Sequence, residues 1–206
     1  MEKSRPQILK PNETYTFSKY FELIFDPEDI LAELGCTLER SQFDFAWYSG
    51  ELDYLNLKHR IEQSLTYVDL TSEAARREVL VAPILLELCN YTNSKLKIEY
   101  PIAINDQLKG TLDYYIQSAR GFLVVEAKNA DLSRGFTQLA VELIALDRWT
   151  TSDASETPIL YGAVTTGDIW KFGQFHRIEN QIVQDINLYR VPADLETLLR
   201  ILVNLL

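Results

Sequence analysis

The chain has 206 residues, a formal net charge of −10 and a hydrophobic share of 47%, a composition typical of a folded globular protein and not of a disordered one. Its length suits one domain with room for a terminal elaboration. No apolar run approaches the roughly 18 residues needed to cross a bilayer, and the first residues lack the apolar core of a signal peptide. We therefore expect a cytoplasmic protein without a membrane partner.

The scarcity of cysteine and histidine restricts the kinds of metal site. Cys36 and Cys89 are far apart, so they offer neither a CxxC metal motif nor a disulfide framework. Two isolated histidines, His59 and His176, cannot supply a histidine-rich zinc site. Any bound metal would therefore have oxygen ligands, which suits Mg²⁺ or Mn²⁺.

The first third of the chain is its most acidic part. Residues 1–70 carry 7 basic and 13 acidic groups, a net charge of −6, whereas residues 71–150 carry 9 and 10, a net charge of −1. Within the acidic third, Asp26-Pro27 is a favourable helix start and Gly35 a favourable stop. The pattern predicts a mainly helical extension over 1–70 and a second domain over 71–206, with a single domain overall as the alternative.

From Ser72 onward the periodicity becomes clearer. Apolar residues at helical spacing predict a helix of about 18 residues, which Pro83 would bend or break. Three alternating segments then predict strands, followed by a helix and a buried strand. This order, α-β-β-β-α-β, predicts an α/β (α+β) fold with a central mixed sheet flanked by helices. The expected ranges after the first helix are strands at 95–104, 109–117 and 121–128, a helix at 133–149, and strands at 158–164, 169–172, 175–179 and 182–191, before a C-terminal helix.

Two charged residues end an otherwise apolar strand. Because successive side chains in a strand alternate between faces, Glu126 and Lys128 project on the same side as Val124. Such a charged pair is costly in an apolar setting unless it is compensated. Asp113 is a second acid within an apolar run. If the two strands form a hairpin, Asp113 and Glu126 lie side by side, and two carboxylates at that distance repel each other and favour a divalent cation between them.

These residues resemble a known pattern. Asp113, then an apolar strand ending Glu126-Ala127-Lys128, then a helix with Gln138, is similar to the PD-(D/E)XK, or restriction-endonuclease-like, nuclease superfamily. The resemblance covers about residues 72–173, and the segment 162–172 looks like a strand-turn-strand found in relatives of type I restriction subunits. One departure is Leu112, which stands where the name-giving proline would be.

The resemblance implies a restriction-endonuclease-like core and a role for each matching residue. Asp113, Glu126 and the Ala127 carbonyl would bind Mg²⁺ or Mn²⁺, and Lys128 would orient or help deprotonate the attacking water. Gln138 would position the lysine or contact the nucleic-acid backbone. Glu73 would complete the metal site from the first helix or support it from outside the set of metal ligands, with Glu78 as the competing acid.

Two classes of function remain open at this point. The first is a metal-dependent endonuclease that hydrolyses phosphodiester bonds in DNA, alone or as a homodimer. A hydrolase of another phosphate ester would use the same carboxylates. The second is a non-catalytic, nuclease-like regulatory module that binds a protein partner through residues 1–70. The acidic balance predicts weak nucleic-acid binding without metal, or a basic partner for the first third.

Overall fold

One mixed β-sheet organises the chain. The computed structural model describes residues 7–118, 121–128, 130–150 and 153–206, and within them eight strands form the order β1-β7-β6-β5-β4-β3-β2, with β8 beside β6. The pairs β1–β7 and β4–β5 are parallel and the others are antiparallel. The strands are β1 Thr37–Ser41, β2 Lys95–Asn105, β3 Leu108–Gln117, β4 Phe122–Ala127, β5 Ile159–Thr165, β6 Ile169–His176, β7 Gln181–Asp185 and β8 Tyr189–Arg190.

Helices cover both faces of this sheet, so the predicted mixed sheet flanked by helices is present. Val124 packs with α6 on one face, while Leu123 and Val125 pack with α5 and α7 on the other. This division follows directly from the alternation of side chains in β4. The helices are α1 Phe17–Glu22, α2 Pro27–Glu33, α3 Tyr54–Ser64, α4 Glu73–Arg76, α5 Ala82–Thr92, α6 Leu132–Trp149 and α7 Leu195–Leu205.

A π-helical turn, Arg77–Val81, joins α4 to α5. Ser72 caps the start of α4, since its side chain accepts a hydrogen bond from the Ala75 amide at 3.1 Å. Pro83 lies in the first turn of α5 and has no amide hydrogen to donate to the preceding turn. The π-helical turn just before Pro83 accommodates the missing hydrogen bond. The distortion that was predicted at Pro83 is therefore present as this turn.

Three strand predictions differ from the structure. The expected strands at 169–172 and 175–179 are one strand, β6, because Gly173 packs against Phe136 within the sheet and does not form a turn; a Cβ there would lie 2.8 Å from Phe136 Cε2. The expected strand at 182–191 is two strands, β7 and β8. Strand β1 was not expected at all.

The segment 1–70 therefore contributes to the sheet as well as forming helices. Its described residues include α1, α2 and α3, as the helical pattern predicts, and β1, which pairs with β7. The division into two domains stays a prediction. No helix within the described ranges is long and apolar enough to cross a membrane.

Candidate active site

Strand β4 carries Glu126 into the face that α6 covers. The Glu126 side chain is 1% exposed, although a carboxylate in such surroundings needs compensating partners. Lys128 Nζ lies 2.5 Å from Glu126 Oε1, and Gln138 Nε2 on α6 donates to the same oxygen at 2.6 Å. One oxygen of this buried acid therefore meets both a cation and an amide donor.

Asp113 reaches the same end of β4 from the neighbouring strand. The last register pair of β3 and β4 is Tyr114 with Val125, so Asp113 and Glu126 are the next residues opposite each other. Asp113 Oδ2 accepts a hydrogen bond from the Ala127 amide at 2.9 Å. The hairpin thus brings Asp113, Glu126 and Ala127 together, and the Asp113 side chain holds the backbone at the end of β4.

Burial and neighbouring charges act in opposite directions on the pKa values of Glu126 and Lys128. Burial and the neighbouring charge of Asp113 raise the pKa of Glu126 to about 7, although Lys128 acts in the opposite direction. Burial alone would lower the pKa of Lys128, but Glu126, Asp113 and Glu73 together raise it above its usual value. The ammonium group therefore stays charged, while the protonation of the glutamate depends on how much positive charge faces it.

Glu142 extends the cluster deeper into α6 and was missed at the level of sequence. It is fully buried, and Gln138 Nε2 donates to its Oε1 at 2.8 Å. Burial and the adjacent Glu126 raise its pKa well above the usual value. The sequence does contain a signal for Glu142. It lies four residues after Gln138, so the two side chains project from the same side of α6, which is otherwise mainly apolar around them. Three buried oxygens here have no hydrogen-bond partner: Glu126 Oε2, Gln138 Oε1 and Glu142 Oε2.

Gln138 differs in its contacts from the role that the resemblance implies. Its amide donates to the two carboxylates, Glu126 and Glu142, and so holds the acid that Lys128 contacts, not the lysine itself. Its side chain also borders the cavity described below. A contact with nucleic acid stays a prediction.

Arg77 faces Asp113 from the π-helical turn. Its Nη1 atom lies 3.7 Å from Asp113 Oδ1 and 3.7 Å from Glu99 Oε1. Its guanidinium group also lies over the Tyr114 ring, 5.1 Å from the ring centroid. Asp113 is consequently held between a backbone amide and a cation.

A cavity of about 500 Å³ opens beside Lys128. Its lining includes Glu73 from α4 and Gln138 from α6, together with residues of α1 and the loop before α6. Phe21 of α1 places its ring centroid 5.3 Å from Lys128 Nζ. Of the two candidate helix acids, Glu73 borders this cavity, whereas Glu78 is exposed elsewhere.

The arrangement combines buried carboxyl groups with a lysine and a cavity. Within the described ranges, no three His, Cys, Asp or Glu side chains form a group suited to holding a metal ion. No family model, curated protein or solved structure matches the chain. The functional argument therefore depends on the geometry of the site itself.

Proposed function

We propose that this protein is a metal-dependent endonuclease with a restriction-endonuclease-like core that hydrolyses phosphodiester bonds in DNA. The observation that carries the proposal is the buried Glu126, paired with Lys128 and opposite Asp113 at the end of one hairpin. An acid-rich cluster with a lysine is the chemistry that hydrolysis of a phosphate diester needs, because negative charge develops on the phosphate oxygens.

The cluster supplies oxygen atoms of the kind that a divalent cation binds, although the described side chains are not gathered into a three-ligand group. Glu126 Oε2 is a buried carboxylate oxygen without a hydrogen-bond partner, and Asp113 supplies a second carboxylate beside it. The Ala127 carbonyl would be a third oxygen ligand, and Glu73 would act from the helix. All of these are hard oxygen ligands, which suit Mg²⁺ or Mn²⁺. When bound, such an ion would polarise the phosphoryl oxygen and assist the leaving group.

The remaining residues then act on the substrate and on one another. Lys128 orients the attacking water and offsets charge on the scissile phosphate through its ammonium group. Gln138 keeps the Glu126 carboxylate in place by donating to Oε1. The Ala127 amide fixes Asp113 in the same way. These hydrogen bonds orient the two acids before any substrate arrives.

Cleavage assays with linear and circular DNA and with RNA, in Mg²⁺ and in Mn²⁺, test the proposal. We expect metal-dependent cleavage that is lost in Asp113→Ala and in Lys128→Ala while both variants remain folded by circular dichroism. Lys109→Ala is the matched control, since Lys109 pairs with Asp106 at the surface. Failure to cut any of these nucleic acids at high protein concentration would contradict the proposal.

A second candidate is a nuclease-like module that binds a protein partner without catalysis. The net charge of −10 and the concentration of acids in residues 1–70 favour it, because nucleic-acid binding needs clustered positive charge. Calorimetry with Mn²⁺ separates the two candidates. Binding near one ion per chain that Glu126→Gln abolishes supports the nuclease, and absence of metal binding supports the module.

A further inference from the structure

Glu142 lies in the middle of α6, where its neighbours along the helix are apolar. It is 0% exposed, and Val141 and Leu143 on either side of it are equally buried. A carboxyl group in such a place loses its contacts with water, which costs free energy unless hydrogen bonds compensate it. Packing alone therefore does not account for an acid at this position.

The side chain of Glu142 meets Gln138, which lies one helical turn earlier on the same side of α6. Gln138 Nε2 donates to Glu142 Oε1 at 2.8 Å and to Glu126 Oε1 at 2.6 Å. The two hydrogens of one amide nitrogen thus reach two acids. The two carboxyl groups are also close enough that each acts on the pKa of the other.

The acceptors of Gln138 decide which way its amide faces. Within the described part of the chain, Gln138 Oε1 is buried without a hydrogen-bond partner, so the two contacts of Nε2 fix the amide. Turning the amide over would place Oε1 against the oxygens of both acids, which are acceptors themselves when ionised. With Glu142 in place, Nε2 therefore stays towards Glu126.

The orientation of Glu126 depends in turn on this amide. Its Oε1 accepts from Gln138 and lies 2.5 Å from Lys128 Nζ, whereas its Oε2 has no hydrogen-bond partner among the described residues. Contacts to Oε1 from two side chains fix the carboxylate and leave Oε2 for a further ligand. Removing a group that holds a metal ligand in this way typically lowers metal affinity by about 10- to 100-fold.

We propose that Glu142 is a positioning residue of the candidate metal site: it holds the amide of Gln138, and through that amide it holds the Glu126 carboxylate in the orientation that a divalent cation needs. This inference rests on the proposed nuclease function and adds Glu142 to the residues on which its metal site depends.

Calorimetric titration of the whole chain with Mn²⁺ tests the inference. We expect Glu142→Met to weaken Mn²⁺ binding by about 10-fold or more. Glu142→Gln keeps an acceptor oxygen for Gln138, so its affinity should stay within about threefold of the parent. The matched control is Val141→Ala, which loosens the packing of the same helix at a position that is 0% exposed and removes no hydrogen-bonding group; Mn²⁺ binding should not change.

A double variant shows whether Glu142 acts through Gln138. Because the effect passes through one amide, Gln138→Leu should weaken Mn²⁺ binding as much as Glu142→Met does. The double variant Gln138→Leu/Glu142→Met should then lose no more than Gln138→Leu alone, whereas independent effects would multiply. Circular dichroism checks the fold of each protein, and the comparison of the double variant with Gln138→Leu stands even if Glu142→Met alone fails to fold.

The outcomes separate the two proposals. Unchanged Mn²⁺ binding in Glu142→Met, or a double variant that loses markedly more than Gln138→Leu, would overturn the inference and leave the nuclease function standing. If the parent binds Mn²⁺ and Glu142→Met weakens that binding, but the parent cuts no nucleic acid, the inference holds and the nuclease function is wrong. A parent that does not bind Mn²⁺ would contradict both.

Discussion

Two buried acids, Glu126 and Asp185, differ in the kind of partner that compensates them. Asp185 ends β7 and is 0% exposed, and its Oδ1 accepts backbone hydrogen bonds from Phe43 at 3.2 Å and Asn187 at 3.0 Å. Glu126 is the penultimate residue of β4 and has similar burial, but its partners are the side chains of Lys128 and Gln138. Each acid also has a second oxygen without a partner.

The difference indicates which buried acid is available for chemistry. Backbone donors are fixed by the fold, so Asp185 holds the chain after β1 next to the chain after β7. Side-chain donors can exchange one partner for another, so in the proposed nuclease Glu126 would pass from Lys128 to the bound cation. Burial of a carboxylate by itself therefore does not identify a functional site, but whether its partners are backbone or side-chain groups is informative.

The largest effect should appear when each acid becomes an amide. We expect Glu126→Gln to lower kcat/KM for DNA cleavage by at least about 100-fold, since it removes a proposed metal ligand, and Asp185→Asn to stay within about threefold of the parent. Steady-state kinetics in Mn²⁺ measure both. Equal losses in the two variants would remove the distinction between the acids.

Removing the side chain of Asp185 should affect stability instead. Asp185→Ala leaves the Phe43 and Asn187 amides without their acceptor in a buried place, which we expect to lower the free energy of unfolding by about 2–4 kcal/mol. Asp185→Asn keeps an acceptor oxygen and should lose less. Urea denaturation gives both values, and a negligible loss in the alanine variant would contradict the structural role.

The stability of the metal-free protein should depend on pH through Glu126. Because its pKa is raised from 4.5 to about 7, the folded state retains a proton that the unfolded state releases between these values. The contribution of this group to the free energy of unfolding should therefore fall as pH rises from about 4.5 to 7, by roughly 3 kcal/mol, and stay level above pH 7. The raised pKa of Glu142 adds a fall of the same sign. Denaturation in EDTA across this range measures the slope, and Glu126→Gln should reduce it. A slope unchanged in the variant would assign the effect to other groups.

The smallest effect should distinguish Glu73 from Glu78. Glu73 raises the pKa of Lys128, so Glu73→Gln should move the alkaline limb of the activity profile to lower pH and reduce the rate there by about two- to fivefold, as expected for a partly exposed charge. Glu78→Gln, at an exposed position one turn further on, should leave the profile unchanged. The reverse result would identify Glu78 as the helix acid.

Local patterns in the sequence predict the hairpin that carries the candidate site. Alternation in β4 is enough to place Glu126 and Lys128 on one face, and a short connection to β3 is enough to bring Asp113 opposite. These features depend on neighbours in the chain, and local periodicity is the strongest signal that a sequence holds.

Features that depend on distant partners were not predictable in this way. Strand β1, with the polar sequence TLERS, is a strand because β7 pairs with it. Gly173 falls between the two short strands expected at 169–172 and 175–179, but within β6 Phe136 occupies the space that a side chain would need. Glu142 is an acid in an apolar helix, and only the packing of α6 on β4 brings it to Glu126.

The pairing of β1 with β7 sets an order for folding. Thr37 pairs with Gln181, so β1 cannot pair with β7 until nearly the whole chain has been synthesised. Closing so long a loop is slow, and during that interval β7 presents an open edge to other chains. A fragment that begins after β1 leaves β7, whose residues are mostly buried, as the edge strand in place of the charged β1, so it should aggregate more readily than the whole chain.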